Sequence, residues 1–439
     1  MIVSPAFAGK RYAVLGLARS GLATVRALHA SGAHVTAWDR RPGPREEVAS
    51  IAEIADPLEI DLAGFDGVVL SPGVPLNTHP IAARAREAGV PLIGDIELFA
   101  LARPSLPPHK VVGITGTNGK STTTALVHHI LKTAGVPTTM GGNIGLPILG
   151  QDPLPEGGVY VLELSSYQID LTYSLDCDVA VLTNITPDHL DRYAGFEAYE
   201  ASKLRLFQMQ DTDRHLAVLT EQWPVRPVIE QGVRNANIAW VDAETVTDRQ
   251  VNWPALQGPH NAQNAVCAIA TCHELGVADE AIETGLRTYP GLPHRMERVA
   301  EFNGVLFVND SKATNPTATA PALAAFPHIH WIVGGLPKGD DLDECKPHFD
   351  HVVAAYTIGE AGPHFADILP PTMHVERCEM LCEAVQRAIV AAKPGETVLL
   401  SPACASFDQF KDYEVRGDSF RQIVAQLTGA KSAERETAA

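Results

Sequence analysis

Three glycines followed by a lysine and a serine, set between a strand-like and a helix-like run, are the first chemistry this chain offers. In Gly113-Ile114-Thr115-Gly116-Thr117-Asn118-Gly119-Lys120-Ser121, glycines let backbone N–H groups close around phosphate oxygens, and a helix start adds positive potential. Lys120 has the reach to meet β- and γ-phosphates, and Ser121 carries a hydroxyl suited to Mg2+. A strict G-x-x-x-x-G-K-S would place glycine at position 114, where this chain has isoleucine, so the loop is a variant. A tight strand–helix turn is the plain alternative. No base-reading motif of a GTPase accompanies it. Glu163 ends an apolar run, the position where ligand sites of α/β sheets gather. His189 stands among Asp188, Asp191 and Arg192 after another strand-like run, which favours a site over a core histidine. Lys203, in a Lys-x-Arg on an amphipathic helix, reads by itself as solvated charge. A second turn, Gly16 to Gly21, is G-x-A-x-x-G because Ala18 fills the middle glycine position. With Asp39 about 20 residues on, it is a weak dinucleotide fingerprint.

These residues need strand ends and helix starts to hold them, and the pattern supplies both. β-branched runs alternate with helical periodicity nearly throughout, which predicts an α/β protein with mostly parallel sheets. Strands are expected at 11–15, 34–38, 68–70, 110–114, 159–164, 179–183, 305–309, 330–333, 352–358 and 397–400. Helices are expected from the Gly16–Gly21 turn to about residue 30, from 120, and around 196–210. Two Pro/Gly-rich stretches, Arg103–Pro108 and Tyr289–Pro293, divide the chain into expected domains 1–103, 104–293 and 294–439. The first is expected to be Rossmann-like, the second P-loop ATPase-like, and the third again Rossmann-like. Three domains also suit 439 residues at roughly 150 per domain.

Composition removes several classes. With 34 Lys+Arg against 52 Asp+Glu the net charge is −18, which speaks against a nucleic-acid binder or a polybasic membrane-surface protein. No run approaches the ~18 apolar residues of a membrane span, and no secretory signal is visible, so the chain is expected to be cytoplasmic. Seven scattered cysteines without a C-x-x-C pair read as thiols in a reducing compartment.

Several strings, in order, resemble the Mur ligases, the ATP-dependent amide-forming enzymes of peptidoglycan precursor synthesis. They are 115–121, Gly141-Gly142-Asn143-Ile144-Gly145, Glu163-Leu164-Ser165-Ser166-Tyr167-Gln168, Asn184 through Arg192, Lys203-Leu204-Arg205, Gly258 through Ala265, and Leu292-Pro293-His294-Arg295. Three strings of the last block, 309–315, 334–339 and 401–410, look most like those members that add D-glutamate.

The resemblance implies a two-step reaction. ATP phosphorylates the carboxylate of UDP-N-acetylmuramoyl-L-alanine, and the amine of D-glutamate attacks the acyl phosphate. It implies that Gly116, Thr117, Asn118, Gly119, Lys120, Ser121 and Thr122 surround ATP. Asn261 and Asn264 would lie at adenine, with helix capping the alternative for Asn261. Arg295 and Asp310 would contact ribose or phosphate. Ser121 and Glu163 would bind one Mg2+, and His189 a second. Lys203 would serve that second ion as a CO2-derived carbamate, since an ammonium cannot ligate a metal. Lys120, Glu163, His189 and Lys203 would thus be the catalytic set. Asn143 would face substrate or the metal shell, with a plain turn-former the equal alternative, and Ser165 would face substrate. Arg19 and Ser20 would lie near the diphosphate, Asp39 and Arg40 near uracil, and Ser71, Pro72 and Gly73 along the nucleotide, an ordinary type II turn being the alternative for the last three. Lys312, Thr314, Lys338, Ser406 and Phe407 would form the D-glutamate pocket, with Tyr413 lining it or simply packing. The implied partners are these small molecules alone, with no nucleic acid and no membrane, and the implied state is a monomer.

Competing readings are a Mur-type ligase for L-alanine, a diamino acid or folate; a nucleotide-dependent switch without transfer chemistry; and a dehydrogenase using the first block, which Ala18 disfavours.

Overall fold

Runs that are buried on both faces need apolar residues at every position, not alternation. Gly67–Leu70, Gly158–Glu163, Val179–Leu182 and Thr397–Leu400 are buried throughout, and each is a strand. The computed structural model describes residues 1–188, 192–211, 215–220, 237–337 and 339–429. They form two compact units, Met1–Tyr289 and Pro290–Ala439.

The first unit contains two sheets. In the first sheet the strands are β1 (Arg11–Leu15), β2 (His34–Trp38), β3 (Glu53–Ile54), β4 (Gly67–Leu70) and β5 (Leu92–Ile93), in the order β3-β2-β1-β4-β5. In the second they are β6 (His109–Thr115), β7 (Thr138–Gly142), β8 (Gly158–Glu163), β9 (Val179–Leu182), β10 (Leu216–Thr220) and β11 (Ile238–Val241), ordered β11-β10-β9-β6-β8-β7. All the pairings in both are parallel. β7 and β8 lie on one side of β6 and β9 to β11 on the other, so the strand order switches at β6 and a crevice opens at its carboxyl end, where α/β sheets bind ligands.

The two sheets share one continuous core, in which Val14, Val25 and Val35 belong to the same buried cluster as Val111, Tyr160 and Leu162. The proline-rich stretch after residue 102 is accordingly a packed joint and not a free linker. Arg103–Ser105 forms a 3-10 turn, Arg103 Nε donates to His109 Nε2 at 3.1 Å, and Ser105 Oγ donates to Ser4 Oγ at 2.9 Å.

The second unit has one sheet of β12 (Glu297–Phe302), β13 (Val305–Asn309), β14 (Ile329–Gly334), β15 (Val352–Ile358), β16 (His374–Glu379) and β17 (Thr397–Leu400), ordered β12-β13-β17-β14-β15-β16. Here β12 pairs antiparallel with β13, and the other pairs are parallel. Two short polar caps start helices beside the loops of interest. Asn315 accepts from Ala318 N before the helix Pro316–Ala324, and Asp412 accepts from Val415 N before Tyr413–Thr428.

Candidate active site

The Gly-rich loop follows the sheet's central strand directly. β6 ends at Thr115, residues 116–119 turn, and the helix Lys120–Thr133 begins. Gly119 takes φ 82°, a left-handed conformation, and a Cβ there would lie 2.2 Å from Asn264 Oδ1. The loop is braced from the end of β9. Thr117 N donates to Asn184 O at 2.9 Å and Asn118 N to Asn184 Oδ1 at 2.8 Å. Asn118 O accepts from Thr183 Oγ1 at 2.6 Å, and Thr117 Oγ1 meets Tyr199 Oη at 3.1 Å. Ser121 and Thr122 are buried in the helix's first turn.

Lys120 and Lys203 both converge on this loop. Lys120 Nζ donates to Gly116 O at 3.0 Å and to Thr117 O at 2.8 Å. Lys203 Nζ, brought by the helix Phe196–Gln208, donates to the same Gly116 O at 2.8 Å. Its side chain is only 2% exposed and its ammonium lies 4.5 Å from the centre of the Tyr199 ring. Burial, reinforced by the charge of Lys120, pushes the Lys203 pKa down to about 7 against the opposing pull of Asp188, Asp170 and Glu163. An isolated reading of Lys203 as solvated charge is therefore overturned.

Glu163 ends β8 and is 1% exposed. Asn143 holds it twice, donating from its backbone N to Glu163 O at 2.9 Å and from Nδ2 to Oε1 at 2.9 Å. Glu163 Oε2 has no hydrogen-bond partner among the described residues. A buried carboxylate with one oriented and one orphaned oxygen, at the end of a strand beside a phosphate loop, suits a cation.

Asn264 links the Gly258–Ala265 string to the loop. Thr123 Oγ1 donates to Asn264 Oδ1 at 3.3 Å, and Asn264 Nδ2 donates to Asn261 Oδ1 at 3.1 Å. Asn261 is not an N-cap: the helix Pro259–Glu274 starts after Gly258, and Asn261 Nδ2 donates to Gln257 O at 3.0 Å. Ser165 spends its hydroxyl locally, in a capping box with Gln168.

On the first sheet, Asp39 Oδ2 accepts from Leu17 N at 2.8 Å and Oδ1 from Arg41 N at 2.9 Å. Burial opposes its ionisation, but these bonds and the Arg41 charge prevail and hold its pKa down at about 2. Arg41, next to the expected Arg40, is thus the cation paired with Asp39. Arg19 is exposed and donates to Gly145 O at 3.1 Å, and Ser20 follows it in the first turn of the helix Arg19–Ala30. Ser71 O accepts from Val74 N at 3.0 Å, closing the turn over Pro72 and Gly73. Gly73 lacks the positive φ that a type II turn requires. Arg192 Nη2 donates to Val74 O at 2.9 Å from the other side.

In the second unit, Asp310 is fully enclosed. Its Oδ1 accepts from Met296 N at 3.1 Å and its Oδ2 from Ser401 Oγ at 2.8 Å. Burial pushes its pKa up to about 7, against Ser401, Met296 and the nearby charge of Arg295. Lys312 N donates to His294 O at 2.9 Å, and Lys312 Nζ sits 5.6 Å from the centre of the Tyr413 ring. Thr314 is half-buried, Ser406 is buried, and Phe407 is 68% exposed. His189 and Lys338 lie outside the described residues.

The residues that brace the loop, Thr183, Asn184 and Tyr199, carried no role in the sequence reading. Their signal was a polar Thr-Asn directly after the apolar strand 179–182 and an aromatic four residues before Lys203.

Three sequence models of one family match this chain in order: the Mur ligase MurD-like N-terminal domain over residues 10–94, the Mur ligase middle domain over 114–272, and the Mur ligase glutamate ligase domain over 294–404. The chain belongs to the Mur ligase family. Within it, the chain falls among the D-glutamate-adding members. It is 66% identical to the UDP-N-acetylmuramoylalanine–D-glutamate ligase of Novosphingobium aromaticivorans, covering 97% of each chain. It is 62% identical to the ligase of the same name from Sphingopyxis alaskensis, covering 97% of this chain and all of that one. Among solved structures, the fold resembles MurF ligase from Thermotoga maritima in complex with ADP, at TM-score 0.58 and 16% identity over 98% of this chain and 97% of that one. It also resembles the UDP-N-acetylmuramate–alanine ligase MurC of the same organism, at TM-score 0.57 and 15% identity over 95% and 99%.

Proposed function

We propose that the chain joins D-glutamate to UDP-N-acetylmuramoyl-L-alanine at the expense of ATP, through an acyl phosphate, in cytoplasmic peptidoglycan precursor synthesis. The observation that carries the mechanism is the meeting of Lys120, Lys203 and the half-satisfied Glu163 around one loop. Residues 1–103 take the UDP-sugar, 104–293 take ATP, and 294–439 take the amino acid. The protein works as a monomer on small molecules, away from membranes; no described helix is long and apolar enough to span one.

Two anions must meet beside a triphosphate, so the chemistry needs concentrated positive charge. Lys120 and the helix start at residues 120–122 supply part of it. Glu163 Oε2 and Ser121 Oγ would hold one Mg2+, with His189 and Lys203 holding a second. When bound, Mg2+ neutralises phosphate oxygens and fixes their geometry. Asn143 keeps Glu163 Oε1 occupied, which turns Oε2 toward its role.

A lysine whose pKa lies near 7 holds a large neutral fraction at neutral pH. Its free amine adds CO2 through nitrogen and releases one proton, so a carbamate anion replaces a cation. Arg295 and Asp310 would reach the ribose or phosphates, and Lys312, Thr314, Lys338, Ser406 and Phe407 the D-glutamate.

ADP release is the test, measured with UDP-N-acetylmuramoyl-L-alanine and each candidate amino acid in turn, D- and L-glutamate side by side. D-glutamate alone should stimulate it. Release without D-glutamate dependence refutes the reading.

A further inference from the structure

The helix Tyr413–Thr428 carries Arg416 inward, and its side chain is 1% exposed. A buried guanidinium usually faces a carboxylate. Here none of its hydrogen-bond partners among the described residues is one. Nε donates to Ser311 Oγ at 3.0 Å, and Nη2 donates to Ser311 O at 2.9 Å and to Cys404 O at 3.0 Å. Nη1 donates to Ala405 O at 3.1 Å. Ala405 O also accepts from Leu336 N at 2.9 Å, and Ala405 N returns a bond to Leu336 O at 2.9 Å. A Cβ on Gly335 would stand 3.0 Å from Arg416 Nη1, so the glycine admits the guanidinium.

One planar cation therefore binds two separate loops directly, those at 310–314 and 404–407, and packs beside Gly335 of a third, 334–337, which the Ala405–Leu336 pair ties to the second. The first two loops carry Lys312 and Thr314, and Ser406 and Phe407, and the third ends in sequence just before Lys338. Ser311 is fixed twice, through its hydroxyl and its carbonyl, and that hydroxyl in turn donates to Tyr413 O at 2.8 Å. A lysine could not reproduce this, because three donors on one rotatable point cannot hold a planar fork of directions. The charge also remains in place: burial lowers the Arg416 pKa only to about 10.

We propose that Arg416 is the positioning residue of the amino-acid pocket: it fixes the relative placement of the three loops that hold D-glutamate without touching D-glutamate itself. This rests on the assignment of those loops to D-glutamate. Its kinetic mark is selective. A loose pocket weakens the amino acid, while the phosphate loop and the uridine turn are built from other residues in the first unit.

Steady-state kinetics on full-length Arg416→Lys test it. The KM for D-glutamate should rise about tenfold or more, from lost hydrogen bonds to a charged donor, with the KM for ATP and for UDP-N-acetylmuramoyl-L-alanine moving less than about twofold. Arg416→Met should raise the D-glutamate KM further. A D-glutamate KM within about twofold of wild type, or equal rises in all three constants, overturns the assignment. If neither variant gives folded protein by circular dichroism, Ser311→Ala decides, since it removes a single hydroxyl and leaves Arg416 in place. A rise of about threefold or more confined to D-glutamate is expected, and no change overturns the assignment. A wild-type chain without D-glutamate-dependent phosphate release overturns both the proposed activity and this role. An active wild type with unmoved variants overturns this role alone.

Discussion

Each unit buries one cation against backbone carbonyls, and the two cations are chemically different. In the first unit, Lys203 donates to Gly116 O inside the phosphate loop. In the second, Arg416 donates to Ser311 O, Cys404 O and Ala405 O among the loops proposed to hold the amino acid. Burial acts on both in the same direction but with different results: Lys203 falls to about 7 and Arg416 only to about 10. At neutral pH the lysine gives up its charge readily and the arginine keeps it. In the proposed mechanism the lysine stands where an amine must become available for chemistry, and the arginine where a permanent planar charge holds geometry.

Exchanging the two side chains breaks the comparison in opposite directions. Lys203→Arg replaces a removable charge by a fixed one, and phosphate release should fall on the order of 10^3-fold. Full activity in Lys203→Arg would remove the proposed role of the amine. Arg416→Lys makes the opposite exchange and should spare the ATP side, as argued above. Similar in size to the second is Gly119→Ala. It places a side chain at φ 82° and 2.2 Å from Asn264 Oδ1, which costs roughly 1–3 kcal/mol. The expected result is a KM for ATP raised by about one order of magnitude, with D-glutamate little affected. Adding Asn264→Ala should recover part of the loss, because it relieves the collision but not the backbone strain. If Gly119→Ala binds ATP normally, the loop is not held as described.

Strand positions near the site were legible because fully buried strands read as unbroken apolar runs, as at 179–182 and 397–400. Edge strands were not. β16 carries His374, Glu376, Arg377 and Glu379, and charges on an edge protect it from pairing while erasing the apolar signal. The same limit applied to Lys203, because Lys-x-Arg at helical spacing reads as surface and only tertiary packing buries the lysine. It applied equally to Arg416, which sequence reasoning passed over entirely. Nothing local distinguishes an arginine that faces solvent from one that ties a loop about 100 positions away. The joint at residues 103–105 shows the converse. Prolines there suggested a spacer, yet the sheets on either side share a core.

The smallest effect is the pH dependence of stability. Between pH 7 and about 10, the unfolded chain keeps a proton on Lys203 that the folded chain has released. Stability therefore rises with pH across that window through this group, and the penalty of burying the charge is fully felt below pH 7. One proton of difference corresponds to a slope of about 1.4 kcal/mol per pH unit. In CO2-free, metal-free buffer, wild type should gain on Lys203→Met by about 2 °C of Tm for each pH unit from 7.5 to 9.5, the shift that slope gives for a unit of this size. Arg416→Met should diverge from wild type far less over the same range, since folded arginine with a pKa of about 10 stays mostly charged there and unfolded arginine fully so. Parallel melting curves for wild type and Lys203→Met would mean that the lysine holds its proton in the folded state, and the contrast between the two buried cations would then rest on geometry alone.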